Sequence, residues 1–197
     1  MLKVALTGGI GCGKSEVSAL FSKWGAYIFD ADAIAKNILN QDKTAQKELI
    51  SEFGSDIVSI EGCIDKKKLS RVAFQNEYNQ LKLNTIIHPY VFQEIDLCFD
   101  KVLAKGKHGI FLVDAALIYE SGADTHMDYV IVITSRLKIR TERVMNRGDL
   151  SRDEFLKRVE LQWPEKDKIE MADFIIQNNG SKNALEEEAK KIFKQLQ

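Results

Sequence analysis

The stretch Thr7-Gly8-Gly9-Ile10-Gly11-Cys12-Gly13-Lys14-Ser15-Glu16 decides how the rest of the chain is read. Four glycines crowd into it, and a lysine and a serine follow at once. Gly8, Gly13, Lys14 and Ser15 stand at the spacing of a phosphate-binding loop, G-x-x-x-x-G-K-S. Chemistry accounts for the residue types. Glycine lets the backbone curl until successive N–H groups point inward, and it removes side chains that would block a phosphate. A helix beginning at that ring of amides adds its positive end. Lys14 brings a cation to the β- and γ-phosphates of a nucleotide, and Ser15 brings a hydroxyl to Mg²⁺. Residues 2–6 read as a strand before the loop and residues 17–21 as a helix after it, the context this pattern requires. Gly8, Gly9, Gly11, Cys12, Gly13, Lys14, Ser15 and Glu16 are therefore expected to hold the nucleotide, Cys12 through its backbone N–H alone.

Working outward, short apolar runs recur at residues 2–6, 27–29, 110–113, 129–133 and 174–176. Val130-Ile131-Val132-Ile133 shows no alternation, so it is expected to be buried on both faces, as in a parallel sheet covered by helices. Strands separated by helical patterns predict an α/β fold in three layers, built on a five-stranded parallel sheet. Residues 32–39, 44–53, 66–74 and 78–104 read as helix with no strand among them. That is too much for one crossover, and it predicts a helical insertion over about 31–105 that holds an acceptor substrate. Ser151-Arg152-Asp153-Glu154 is a capping box that starts a new helix just beyond Arg147 and Gly148. Two helices joined by a short polar turn predict a lid over about 140–165. The last helix, residues 183–196, places Leu185, Ala189, Ile192, Phe193 and Leu196 on one face to close the sheet. Residues 1–197 read as a single domain with these two additions.

Of the 197 residues, 45% are apolar, enough for a sizeable core. The 28 basic residues against 29 acidic ones leave no electrostatic footprint for a nucleic acid or an acidic membrane. Cys12, Cys63 and Cys98 are far apart and form no CxxC pair, which points to free thiols in a reducing compartment. No run reaches the roughly 18 consecutive apolar residues of a membrane span, and no secretory h-region precedes the first strand. The expectation is a soluble, cytoplasmic protein, monomeric or a weak homo-oligomer, without nucleic-acid or membrane partners.

Phosphate loops serve switches, motors and kinases alike. A guanine switch would need Asn-Lys-x-Asp, and a transporter-type ATPase Leu-Ser-Gly-Gly-Gln; the chain contains neither. A small-molecule kinase needs a carboxylate on the magnesium side, an acceptor-side group, a cationic lid and a base-binding loop. Asp114 ends the apolar run 110–113, where an acid can hold magnesium-bound water; an ordinary strand-end aspartate is the other reading. Asp30 and Asp32 follow the strand at 27–29. The carboxyl ends of parallel strands lie on the side of the loop, which brings these acids toward the γ-phosphate, unless either serves as a helix N-cap. Arg140, Arg143 and Arg147 recur at three and four residues and share a helical face. Such a face suits a polyphosphate, or it is simply solvated. The rival functions are another nucleoside or nucleotide kinase, and a nucleotide-controlled binding protein, which needs neither the acids nor the arginines.

Taken in order, several blocks resemble the dephospho-coenzyme A kinase family. LTGGIGCGKS resembles its phosphate loop, IFDADAIAK its acceptor-site acid block, IIHPYV its His-Pro element and LVDAALIYE its D-x-P-L-L-F-E block. RVMNRGDLS resembles its arginine-bearing lid, ELQWPEKDK its Q-x-P-x-x-x-K segment and ADFIIQNNG its terminal strand and asparagine loop. The resemblance runs from Leu2 to about Gly180. It implies transfer of phosphate from ATP, with Mg²⁺, to the ribose 3′-hydroxyl of dephospho-coenzyme A. It further implies that Asp32 orients or deprotonates that hydroxyl and that Lys14, Arg143 and Arg147 are catalytic. By the same resemblance Ser15 and Asp114 serve the metal, His88 and Pro89 line the acceptor pocket, and Asn178 and Gly180 lie by the adenine. Ala116, Arg140, Gln177 and Glu16 depart from the usual family residues. Arg140 replaces a common glutamine, either as an added lid cation or as a surface charge.

Overall fold

In the computed structural model, which describes residues 1–197, the chain runs β1 (Leu2–Gly8), α1 (Lys14–Lys23), β2 (Tyr27–Asp30), α2 (Ala31–Gln41), α3 (Lys43–Phe53), α4 (Lys66–Ala73), α5 (Glu77–Lys105), β3 (Ile110–Asp114), α6 (Ile118–Ser121), β4 (Tyr129–Thr134), α7 (Leu137–Arg147), α8 (Arg152–Glu160), α9 (Glu165–Met171), β5 (Phe174–Gln177) and α10 (Lys182–Gln195). All five expected strands form, each reaching one or two residues past the apolar run that announced it.

Every strand pairing is parallel, and the order across the sheet is β2-β3-β1-β4-β5. The central strand shows why the apolar runs do not alternate. Val4, Ala5 and Leu6 are all fully buried, because helices cover both faces. On one face Val4, Leu6, Ile110, Leu112, Ile131, Ile133 and Ile176 meet Val17 and Phe21 of α1 and Leu185, Ala189, Ile192 and Phe193 of α10. Phe21 meets Phe193 edge to face at 5.2 Å. Each such aliphatic or aromatic side chain contributes about 1.5–3 kcal/mol on burial, and this face is the core that holds the sheet against its helices. On the other face Phe111 stacks on Tyr27 at 5.4 Å and meets Phe99, from the end of α5, at 5.3 Å.

Two compact units divide the chain. One comprises Met1–Asp30 with Cys98–Gln197, and the other Ala31–Leu97. The second unit is helical, and its helices start where the sequence supplies caps. Asp42 accepts from the amides of Thr44 (2.8 Å) and Ala45 (3.0 Å), and Asp65 from those of Lys67 (2.9 Å) and Lys68 (3.1 Å). Ala45, Leu49, Ile57, Leu69 and Ala73 are buried there. Pro89 lies inside the long helix α5. In the first unit, Ser151 and Glu154 close the capping box that starts α8, and Gly148, with φ 72°, ends α7 in the left-handed conformation. No helix is long and apolar enough to cross a membrane.

Candidate phosphate-binding site

The loop after β1 owes its shape to glycine at two positions above all. Gly11 (φ 81°) and Gly13 (φ 102°) are left-handed, where a side chain would be strained. Gly13 is the N-cap of α1, and its carbonyl accepts from Glu16 N (3.1 Å) and Val17 N (3.4 Å). Inside the loop, Cys12 N donates to Gly9 O at 3.0 Å. The Cys12 side chain turns into the core, where burial pushes its thiol up from the ordinary value. Cys12 thus offers the loop its backbone alone.

Lys14 and Asp114 meet here. Lys14 Nζ lies 2.6 Å from Asp114 Oδ1, with both side chains mostly buried. Asp114 reaches this place because β3 pairs with β1 in a register that sets it beside Leu6, two residues before the loop. Asp30, at the end of β2, pairs in turn with Asp114. Ser15 is exposed on the first turn of α1, and the exposed Glu16 pairs with Lys182 at 3.4 Å.

Behind the loop stands a layer of side chains that approach it closely. Arg140 is only 4% exposed. Its Nε donates to Ile10 O at 2.8 Å and its NH1 to Glu165 Oε2 at 3.1 Å. A Cβ on Gly9 would come within 2.4 Å of this guanidinium, so Gly9 is small for the sake of the arginine as well as of any phosphate. This corrects the expectation that Arg140 is a surface charge. The Ile10 carbonyl and the Glu165 carboxylate each take an N–H of its planar fork and hold the guanidinium inward.

Arg143 is half-buried at the same edge of the loop. Its NH1 donates to Cys12 O (3.3 Å) and Ser135 Oγ (3.5 Å), and its NH2 to Asn178 O and Oδ1 (both 3.1 Å). Asn178, only 3% exposed, donates from Nδ2 to Cys12 O at 2.8 Å. Its carboxamide is therefore engaged with the loop and with Arg143. Gly180, two residues on, is exposed. Arg147 is exposed at the end of α7, with Asp149 at 3.7 Å. In the helical unit, Asp32 is exposed on the first turn of α2, and His88 lies on α5 beside Phe92, its ring 6.0 Å away, with Pro89 next to it.

Several residues of this region carry no assignment from the sequence. Gln162 Oε1 accepts from Ile10 N at 3.0 Å. Glu165 accepts from Thr134 Oγ1 and, at 3.1 Å, from Ser135 N, besides pairing with Arg140. Lys168 is 2% exposed, and its Nζ lies 2.6 Å from Glu120 Oε1, itself nearly buried. The same Glu120 oxygen accepts from Trp163 N at 3.0 Å. Tyr119 stacks on Trp163 (6.3 Å between ring centres), and its phenol is pushed up to about 12 by burial, with the charges of Asp124 and Asp173 adding to it. Gln162, Lys168 and Glu120 all fall in blocks of the family resemblance. Nothing in their own spacing marks them, because their partners lie far away along the chain.

The family model for dephospho-CoA kinase matches residues 2–184. The chain is 33% identical over 196 residues to a dephospho-CoA kinase of Aquifex aeolicus, covering 100% of this chain and 98% of the relative. It is 37% identical over 180 residues to that of Bacillus licheniformis, covering 91% and 89%. Among solved structures, the dephospho-CoA kinase from Campylobacter jejuni superposes with a TM-score of 0.69 at 28% identity, over 98% of this chain and 96% of that one.

Proposed function

Because the chain belongs to the dephospho-CoA kinase family, we propose that it transfers the γ-phosphoryl group of ATP to the ribose 3′-hydroxyl of dephospho-coenzyme A, giving coenzyme A and ADP. The observation that carries this reading is the meeting of Lys14 and Asp114 at 2.6 Å beside a left-handed glycine loop. A loop lysine and a strand-end acid are thereby gathered at the carboxyl edge of a parallel sheet, where such folds bind ligands.

In this reading Lys14 exchanges Asp114 for the β- and γ-phosphates. That frees the carboxylate which, with the Ser15 hydroxyl, would serve Mg²⁺. The donors fit that ion: both are oxygens, and the chain gathers no group of three acidic, cysteine or histidine residues that would suit a softer or fully protein-bound metal. Mg²⁺ takes one or two protein oxygens and completes its shell with phosphates and water. When bound, it neutralises charge on the phosphate oxygens.

The 3′-oxygen attacks the γ-phosphorus. The bond from that phosphorus to the β-bridging oxygen breaks, and its electron pair leaves with ADP. The hydroxyl proton passes to the carboxylate of Asp32. The transition state is loose, so positioning and charge balance outweigh base strength, and Asp32 accepts the proton late. Arg143 and Arg147 offer cations to the phosphoryl oxygens, Arg143 by giving up part of its present bonding to Cys12 and Asn178. His88 and Pro89 line the acceptor pocket, and the turn at Asn178 and Gly180 flanks the adenine. The helical stretch at about 31–105 holds the acceptor, and the segment at about 140–165 closes as a lid. The protein works in the cytoplasm as a monomer or weak homo-oligomer, and its balanced charge argues against a nucleic-acid or membrane partner.

The test is a coupled ADP-release assay with dephospho-coenzyme A, nucleosides and nucleoside monophosphates offered in parallel, and mass spectrometry of the product. ADP release that depends on dephospho-coenzyme A, with one phosphate added at the 3′ position, is expected. Equal release with a nucleoside, or release independent of any acceptor, would overturn the reading.

A further inference from the structure

We infer that Gln162 is a positioning residue for the phosphoryl donor: its side-chain oxygen holds the Gly9–Ile10 peptide and so sets the curve of the phosphate loop. The loop is weakly determined at this point. Ile10 stands between Gly9 and Gly11, and glycine tolerates many backbone conformations. The backbone bond within the loop that spans Ile10 is Cys12 N to Gly9 O. The remaining restraints come from outside. Gln162 Oε1 takes the Ile10 N–H at 3.0 Å, and Arg140 Nε gives to the Ile10 carbonyl at 2.8 Å. The peptides on both sides of the Ile10 Cα are thus pinned by side chains from a segment more than a hundred residues away. An amide N–H can face only an acceptor, so the carboxamide orientation of Gln162 is fixed by chemistry.

Gln162 can hold the loop only if it is itself held, and the structure supplies the anchorage. Next to it, Trp163 N donates to Glu120 Oε1 at 3.0 Å, and Lys168 Nζ meets that same buried carboxylate at 2.6 Å. Pro164 follows and restricts the backbone. Glu165 then ties the segment to the end of β4 through Thr134 and Ser135, and to Arg140. The segment is therefore bound both to α6, after β3, and to the end of β4. These two strands flank β1, and the loop between them takes its shape from this frame. The inference rests on the reading of this loop as the ATP site.

The experiment compares the wild-type chain with Gln162→Met, which keeps the volume and removes the acceptor at a half-exposed position. Hydrogen exchange of the Ile10 amide, followed by NMR without nucleotide, is expected to quicken at least tenfold in the variant. Unchanged exchange would overturn the inference, whatever the loop binds. Calorimetry with a non-hydrolysable ATP analogue is expected to show affinity about 3- to 10-fold weaker in the variant, the range of one neutral hydrogen bond. The KM for the acceptor and the melting temperature should stay near wild type. Equal analogue affinity in the two proteins would sink the positioning role. Failure of the wild-type chain to bind the analogue at all would instead sink the reading of the site, and this inference with it.

Discussion

Lys14 Nζ lies 2.6 Å from Asp114 Oδ1, so the first turn of α1 and the end of β3 share one ion pair. Each partner holds the other's charge in a partly buried place. In the proposed function ATP would compete with Asp114 for Lys14, and the competition would leave the carboxylate available for metal-bound water. Lys14→Ala is expected to lower kcat about 10²–10³-fold, the usual loss for one preorganised charge at a transition state. Asp114→Asn should raise the Mg²⁺ concentration needed for half-maximal activity by about 10–100-fold. A magnesium titration of steady-state rate checks both, and an unchanged magnesium midpoint in Asp114→Asn would remove Asp114 from the metal site.

Asp32 stands on the first turn of α2, exposed and directly after the strand that carries Asp30. Asp32→Asn retains shape and loses the carboxylate proposed to accept the proton. Its kcat should fall about 10²–10⁴-fold, while affinity for a non-hydrolysable ATP analogue stays within about twofold of wild type. Near-normal turnover would refute the assignment.

Arg143 and Arg147 lie one helical turn apart but are bonded differently. Arg143 donates to Cys12, Ser135 and Asn178, whereas Arg147 is exposed with only Asp149 near it. Arg147→Ala should therefore lower kcat with little change in the KM for ATP, the mark of a contact made in the transition state. Arg143→Ala should move both, because it also unbraces the loop at Cys12. If Arg147→Ala altered only the KM for ATP, that arginine would belong to ground-state binding.

The pair of Lys168 and Glu120 is buried, and neither partner can turn to water. Removing one leaves the other charged and uncompensated. Lys168→Met is expected to cost about 3–5 kcal/mol of stability, and the double change with Glu120→Leu should recover much of it. Urea denaturation of wild type, Lys168→Met, Glu120→Leu and the double variant tests this coupling. Additive losses in the double variant would show that the two side chains do not act as a pair.

How much of this was legible in the chain itself depends on how local each feature is. The phosphate loop is a short-range device: its glycines, lysine and serine stand within eight positions of one another, and their φ requirements and charges act within that span. The strands and the capping box at Ser151 are local in the same sense, since apolar runs and an i to i+3 pairing are visible in the order of residues. Arg140, Gln162, Glu165 and Lys168 are of the other kind. Arg140 had the same spacing as Arg143 and Arg147, and spacing alone makes the three equivalent. Only the packing of α7 against the loop buries the first, braces the second and leaves the third in water. The sheet order β2-β3-β1-β4-β5 is likewise a choice among pairings that the same apolar runs would allow. By itself the sequence determined where the chain is free to turn at the phosphate loop and the kind of element on either side. Tertiary structure alone decided which distant side chains stand behind that loop. A glycine's freedom to take a positive φ acts within its own residue, whereas a distant side chain reaches the loop, or a buried charge its partner, only once the chain has brought the two together.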